Sequence, residues 1–215
     1  HSSGSWNALA AAAVGARLLG LDADATRHAL GVAEYHAPQG FMMRCIDHPA
    51  MVKDGSGWGA MTGVSAAYLA AGGFSAPPAA DVVAPTVADL WADLGQRWRT
   101  LEQYFKPYPV CRWAQPPVEA AVSLQRQHAI PAAAIEAGEV TTFHEATRLA
   151  VRRPRTTEEA QYSLPYPVAA ALVRGHLGAA EVTEPFDDPD IERLADVIEM
   201  GEDEHMNRVF PGQRL

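Results

Sequence analysis

The chain has 215 residues, of which 48% are hydrophobic and 20% charged, so it is long enough to bury a sizeable core and is neither disordered nor collagen-like. Its 17 basic and 26 acidic residues give a net charge of −9, which argues against nucleic acid or an anionic membrane surface as a general partner. Two cysteines, Cys45 and Cys111, are too few for a disulfide framework or for an iron–sulfur cluster held by cysteine alone.

No targeting or membrane segment is predicted. The chain shows no basic region leading into an apolar one, and its apolar stretches are interrupted before they reach the roughly 20 residues of a membrane span. The low cysteine count favours a reducing compartment, and we therefore expect a cytoplasmic protein. The start at His1 without methionine and the end at Leu215 suggest a piece of a longer polypeptide.

Three helices are predicted in the first part of the chain, the first two between clear capping and stop residues. They are Trp6–Leu19, Asp24–His36 and Gly57–Ala71. Within the third, Gly57, Gly59 and Gly63 each cost about 1 kcal/mol relative to alanine in a helix interior. Their presence predicts either the close approach of another helix or contact between the backbone and a ligand.

The second part of the chain mixes helical and extended patterns. In chain order, the predicted elements are a short helix around Thr86–Leu94, an extended strand or arm over Arg97–Tyr108, a helix over Gln115–His128, a strand over Glu139–Glu145, and helices over Thr157–Arg174 and Asp188–Met200. We therefore predict an α+β fold that is mainly α, with an all-α domain first and a smaller α+β domain after it.

Two lysines, Lys53 and Lys106, stand out because every other basic residue is arginine. Lys53 directly precedes the glycine-rich helix, whose first N–H groups and this ammonium would favour the same anion. Lys106 opens the segment Lys106–Arg112, in which two prolines fix the backbone between two cations. Rigid cations are suited to carboxylates. An alternative stays open, in which both lysines are chance survivors of a GC-rich codon bias.

Several segments follow the order and spacing of one known family. They are Leu18–Leu21, Ala29–Ala33, Gly63–Ala70, Lys106–Arg112 and Glu159–Ala169. On these segments the chain resembles the MmgE/PrpD family, which includes 2-methylcitrate dehydratase, cis-aconitate decarboxylase and iminodisuccinate epimerase. The resemblance extends over nearly the whole chain.

The resemblance implies a two-domain protein, with residues 1–95 forming part of an all-α domain and residues 96–215 a truncated α+β lid. It also implies an active site in the cleft between the domains, a homodimer, no cofactor, and a small di- or tricarboxylate as substrate. Full-length members have additional sequence at both ends, including an acid/base candidate, so we expect this piece to be inactive alone.

The resemblance also implies roles for individual residues. His1, Lys53 and Lys106 are the expected catalytic residues, with His1 as the acid/base candidate. Arg112 is expected to bind substrate. Gln115 stands where many members of the family have histidine, which removes a second histidine from the lid.

The histidine pattern argues against a metal site. No two histidines have the i, i+4 spacing of a helical metal pair, so we expect no metal ligands. His144 closes a predicted strand of the lid and is a candidate for substrate binding, although a surface position is the competing interpretation. Ser163 lacks the GxSxG context of a hydrolase nucleophile.

The implied chemistry is proton abstraction next to a carboxylate, with fixed cations stabilising the resulting enediolate. We favour a dehydratase, a carbon–oxygen lyase of the kind that acts on 2-methylcitrate in propionate metabolism. Epimerisation or decarboxylation of a related carboxylate are alternatives. Two further alternatives from other classes are a non-catalytic dimerisation module and a metal-dependent hydratase of the aconitase type.

Overall fold

The computed structural model describes residues 4–212, which group by their contacts into two compact units. The first unit holds the described residues up to Cys45 and Val52–Tyr104; the second holds Ile46–Met51 and the described residues from Phe105 on. Helices dominate and the described strands form one small sheet, which confirms the predicted α+β, mainly α class.

The first unit consists of helices and connecting turns throughout its described part. Its helices are α1 (Gly4–Leu18), α2 (Ala23–His36), α3 (Met43–Asp47, whose last residues belong to the second unit), α4 (Ser56–Ala71), α5 (Ala80–Val83) and α6 (Ala88–Trp91). The three predicted long helices are confirmed, with ends that differ by about two residues at most. Across residues 4–212, no helix has the length and apolarity needed to cross a membrane.

Helices α1 and α4 cross with their backbones in contact. A Cβ atom added at Gly59 would lie 2.0 Å from the carbonyl oxygen of Gly4, and one added at Gly63 would lie 2.2 Å from that of Ala8. Both distances are far inside van der Waals contact, so only glycine fits at these positions. Close helix approach therefore explains Gly59 and Gly63, whereas a Cβ at Gly57 would meet nothing within 4 Å.

The core between α1, α2 and α4 is built from small side chains. Its fully or almost fully buried members are Ala8, Ala12, Val32, Ala33, Ala37 and Ala66. The Asp22 carboxylate caps α2 by accepting a hydrogen bond from the N–H of Ala25 at 2.8 Å. Because the buried side chains are short, the three helices pack tightly and the backbones approach one another closely.

The predicted strand over Arg97–Tyr108 is wrong. The segment contains a single 3₁₀ turn, Arg99–Glu102, and no strand among residues 4–212 pairs with it. Arg97 forms an ion pair with Glu102 within the segment at 2.5 Å, and Arg99 forms one with the preceding Asp93 at 2.9 Å. Its alternation of aromatic and polar residues therefore does not reflect a sheet. The predicted helix over Thr86–Leu94 is also shorter, because only α6 and a preceding 3₁₀ turn form there.

The second unit packs helices against a two-stranded sheet. Its elements are α7 (Gln115–His128), β1 (Gly138–Thr142), α8 (His144–Thr147), α9 (Thr157–Gln161), α10 (Pro165–Arg174), α11 (Pro189–Val197), β2 (Ile198–Glu202) and α12 (Glu204–Val209). The predicted helix over Gln115–His128 is confirmed. The predicted strand over Glu139–Glu145 is confirmed in part, because it ends at Thr142.

Two predicted helices of this unit are wrong in extent. The helix predicted over Thr157–Arg174 is two helices, α9 and α10, separated at Tyr162–Leu164. The Ser163 hydroxyl accepts a hydrogen bond from the Tyr166 N–H at 3.0 Å and donates one to the Val151 carbonyl at 2.5 Å, so this serine shapes the break. Pro165 then begins α10, a position that tolerates its missing N–H.

The helix predicted over Asp188–Met200 ends at Val197, where the chain turns directly into β2. Strand β2 pairs with β1 in parallel, in a register that runs from Gly138 opposite Ile198 to Thr142 opposite Glu202. Since parallel strands end at the same edge of a sheet, the residues that follow β1 lie beside the end of β2.

The close crossing of α1 and α4 predicts the effect of adding one methyl group. We expect Gly63→Ala to lower the free energy of unfolding by about 1–3 kcal/mol, because the new Cβ meets the Ala8 carbonyl. Gly57→Ala is the matched control in the same helix. It should leave stability unchanged or raise it by up to about 1 kcal/mol, since its Cβ would meet open space. Urea unfolding measures both; equal stability of the two variants would contradict the contact.

Candidate functional site

Lys53 lies in the turn that leads into α4. It is half-buried, and it is followed by Asp54, whose φ of +29° is unusual for a residue with a side chain, and by Gly55 at the N-cap of α4. Gly55 has no side chain to cap the helix, and the first N–H groups of α4 give this end a positive potential. This environment favours an anion near Lys53.

The start of α1 packs against the same turn. A Cβ added at Gly4 would lie 2.3 Å from the carbonyl carbon of Gly55, so the two backbones touch. Gly4 follows His1 by three positions, and Gly55 follows Lys53 by two. His1 itself lies outside the described residues.

In the second unit, the segment Lys106–Arg112 is held by hydrogen bonds from its neighbours. The buried Gln115 amide donates to the Val110 carbonyl at 3.2 Å and reaches the Tyr108 carbonyl at 3.4 Å. The Cys111 N–H donates to the Gln161 carbonyl at 2.8 Å, and Val110 is buried. These contacts fix the middle of the segment between its two cations.

A tyrosine–carboxylate pair adds another tether. The Tyr108 hydroxyl donates a short hydrogen bond to Glu119 in α7. The Glu119 carboxylate that accepts this bond raises the pKa of Tyr108, so the hydroxyl stays protonated and keeps donating. The segment is therefore anchored to α7 by both Gln115 and Tyr108.

The two cations at the ends of this segment differ in their surroundings. Lys106 is exposed, and within residues 4–212 it makes no hydrogen bond or ion pair. Arg112 is half-buried at the start of a 3₁₀ turn, Arg112–Ala114, that leads into α7. The arrangement offers an unpartnered ammonium at one end of a fixed backbone and a guanidinium at the other.

An aromatic cluster joins this segment to the end of β1. The Trp113 ring lies edge-on to Phe143 at 5.3 Å and to Phe210 at 5.6 Å between ring centroids. Phe143 and Phe210 stack at 4.2 Å. Since Trp113 follows Arg112 and Phe143 precedes His144, the cluster brings the backbones that carry Arg112 and His144 to the same part of the second unit.

His144 lies at the shared carboxyl edge of the two strands. Its ring Nδ1 is 2.8 Å from Glu202 Oε1, and its backbone N–H donates to Asn207 Oδ1 at 2.6 Å. The Asn207 amide in turn donates to the other Glu202 oxygen at 3.1 Å. The His144 side chain is 58% exposed, so it is a surface histidine, but one held in a closed ring of hydrogen bonds.

The structure thus places the predicted residues in two groups. Arg112, Lys106 and His144 belong to the second unit, and Lys53 belongs to the first. Sequence reasoning missed Glu202, because the first three residues of β2 were predicted as the end of a helix and no strand was predicted after them. It also gave Gln115 no role, although a glutamine at the start of a helix after a proline-rich segment is a possible brace for that segment.

Two cavities formed by described residues of the second unit do not supply a competing carboxylate site. One of about 480 Å³ is lined mainly by apolar residues of α7, β1 and α10 and by no lysine or arginine. Another of about 410 Å³ contains Arg152, Arg153 and Arg174, but each guanidinium already contacts carboxylates or carbonyl oxygens. Among residues 4–212, no three His, Cys, Asp or Glu side chains are grouped closely enough to hold a metal ion.

The role of Gln115 as a brace can be tested without an assay. We expect Gln115→Leu to speed hydrogen exchange of the Cys111 amide and to cost about 1–3 kcal/mol, because buried carbonyls lose their donor. Gln125→Leu is the matched control, since its amide bonds the Leu172 carbonyl at 2.9 Å elsewhere in α7. It should destabilise similarly and leave Cys111 exchange unchanged. Equal exchange at Cys111 in both variants would contradict the bracing role.

Comparison with known families agrees with the resemblance. The chain matches the MmgE/PrpD N-terminal domain over residues 1–86 and the MmgE/PrpD C-terminal domain over residues 108–215. The first match includes His1 and Lys53, and the second includes Arg112 and His144, whereas Lys106 lies just before the second. A search of the curated proteins found no match. The chain belongs to the MmgE/PrpD family.

Proposed function

We propose that this chain is part of a cytoplasmic, cofactor-independent lyase that dehydrates a small di- or tricarboxylate such as 2-methylcitrate. The observation that carries the proposal is the braced segment Lys106–Arg112, which holds two cations on a fixed backbone. The family includes lyases and isomerases, so proton chemistry next to a carboxylate is the expected reaction class.

In this proposal Lys53, Lys106 and Arg112 bind the carboxylates of the substrate. Lys106 is exposed and makes no ion pair within residues 4–212, so binding an anion there breaks no existing contact. Arg112 supplies a planar guanidinium that matches a carboxylate with two parallel hydrogen bonds. A fixed backbone reduces the entropy lost when the substrate binds.

The cations also support the chemical step. Abstraction of the proton next to a carboxylate moves an electron pair onto that carboxylate and forms an enediolate. Fixed positive charges stabilise the additional negative charge more than they stabilise the bound substrate. The electron pair of the enediolate then forms the carbon–carbon double bond. The β-hydroxyl takes a proton from an acid and leaves as water. His1 is our candidate for acid/base work.

Epimerisation and decarboxylation remain the alternatives, since both pass through a similarly stabilised carbanion.

An interaction role is favoured by a different observation, the apolar groove between α1 and α4. Its exposed members include Val14, Leu18, Val64 and Tyr68. A contiguous apolar surface of this kind marks a packing interface. We propose that the protein is a homodimer. This proposal holds both for the lyase and for the alternative of a non-catalytic dimerisation module.

Removing the Lys106 ammonium should affect substrate binding without affecting the stability of the fold. We expect Lys106→Met in the full-length protein to lower kcat/KM for its carboxylate substrate by at least about 100-fold, because a charge-assisted contact is lost. Its Tm should stay unchanged, since Lys106 supports no other described group. Arg126→Met is the control, an exposed cation of the same unit whose bond to the Gly175 carbonyl is 3.5 Å long. Activity within about threefold of wild type in both variants would mean that Lys106 binds no substrate.

Chelation distinguishes this proposal from a metal-dependent hydratase. We expect the full-length enzyme to keep its activity after exhaustive EDTA treatment and dialysis. The physical reason is that lysine and arginine cations take the role that a metal ion plays in polarising a carboxylate. Loss of turnover on chelation, restored by added Fe²⁺ or Zn²⁺, would contradict the cofactor-independent reaction.

A further inference from the structure

His144 has a defined tautomer, set by its carboxylate partner. The hydrogen bonds from His144 and Asn207 lower the pKa of Glu202, so this side chain is a carboxylate near neutral pH. A carboxylate only accepts hydrogen bonds, and therefore the His144 Nδ1 atom, 2.8 Å away, carries the proton. In the neutral ring, Nε2 then holds the lone pair.

The imidazole is also fixed in position. Asn207 bonds both the His144 backbone N–H and the second Glu202 oxygen, which ties the end of β1 to the end of β2 through α12. Rotation of the His144 side chain away from Glu202 breaks this ring of hydrogen bonds. Nε2 makes no hydrogen bond within residues 4–212, and the side chain is 58% exposed, so this atom is accessible to a small molecule.

His176 of the same unit shows what a structural histidine–carboxylate pair looks like. Its Nδ1 lies 3.1 Å from the Arg174 carbonyl and its Nε2 lies 3.2 Å from Glu181. Both ring nitrogens are occupied, so neither is available to a ligand. His144 differs because its carboxylate occupies one nitrogen and leaves the other open.

We propose that His144, oriented by Glu202, is a proton-transfer residue of this enzyme rather than only a contact for a substrate carboxylate. The inference rests on the proposed function. The Nε2 lone pair takes the proton from the carbon next to a carboxylate, and the C–H bonding pair becomes the enediolate. That pair then forms the double bond as the β-hydroxyl leaves as water, with a proton from a separate acid for which His1 is the candidate. The imidazolium afterwards returns its proton to solvent.

A proton-transfer role and a binding role predict different kinetics. A histidine that contacts the substrate equally in the ground state and the transition state affects KM and leaves kcat unchanged. General acid–base catalysis contributes about 100- to 10,000-fold to the chemical step, so its loss appears in kcat.

The first measurement concerns the tautomer and is independent of activity. Nitrogen NMR of the His144 imidazole in the wild-type full-length protein should show the neutral ring protonated at Nδ1. In Glu202→Leu, the ring should shift toward the Nε2-protonated form, because the acceptor is gone. A wild-type ring protonated at Nε2, or no change in Glu202→Leu, overturns the proposal.

The second measurement is steady-state kinetics on the carboxylate substrate. His144→Gln should lower kcat by about 100-fold or more with KM within about threefold, and Glu202→Leu should lower kcat by about tenfold or more. His176→Gln is the matched control and should leave both constants unchanged. A raised KM with unchanged kcat in His144→Gln overturns the proton-transfer role and leaves the proposed function standing. Absence of turnover in the wild-type protein overturns the proposed function and this role with it, even where the tautomer result holds.

Discussion

The direct backbone contact between α1 and α4 is the constraint on which the first unit depends. Because Gly59 and Gly63 have no side chains, the two helices approach until carbonyl groups of α1 occupy the space that Cβ atoms would fill. The neighbouring core can then be built from alanines, which individually bury little apolar area but pack densely. The same contact continues to Gly4 and Gly55, and so it fixes the turn that carries Lys53.

Several arginines of the second unit are held by ion pairs, as Arg153 is with Asp196. The segment Lys106–Arg112 is restrained through its backbone, by the Gln115 amide and the Cys111 N–H. Restraint through the backbone leaves the Lys106 ammonium available, whereas restraint through an ion pair would occupy it. In the proposed function, this restraint preorganises Lys106 for a substrate carboxylate.

Most of the long helices could be predicted because their signals are local. Asp22 is followed by an apolar face and bonds the N–H three residues on, and both features are visible in the sequence. The strand β2 could not be predicted in the same way, because only its pairing with β1 distinguishes Ile198–Glu202 from one more helical turn. The partnership of Glu202 with His144 therefore depended on tertiary structure, whereas Lys53 and Lys106 became candidates through residue type, context and family resemblance, and their roles stay predictions.

The second unit is discontinuous in sequence, and this affects how the chain assembles. Asp47 forms a two-pronged ion pair with Arg148, whose Nε lies 2.9 Å from Asp47 Oδ1, although the two residues are 101 positions apart. Closing so long a loop adds little to the equilibrium cost, since each doubling of its length contributes only about 0.6 kcal/mol. The long loop instead slows folding, because contacts between residues far apart in sequence form slowly. A chain cut between Met51 and Phe105 would consequently separate Arg148 from its carboxylate partner Asp47.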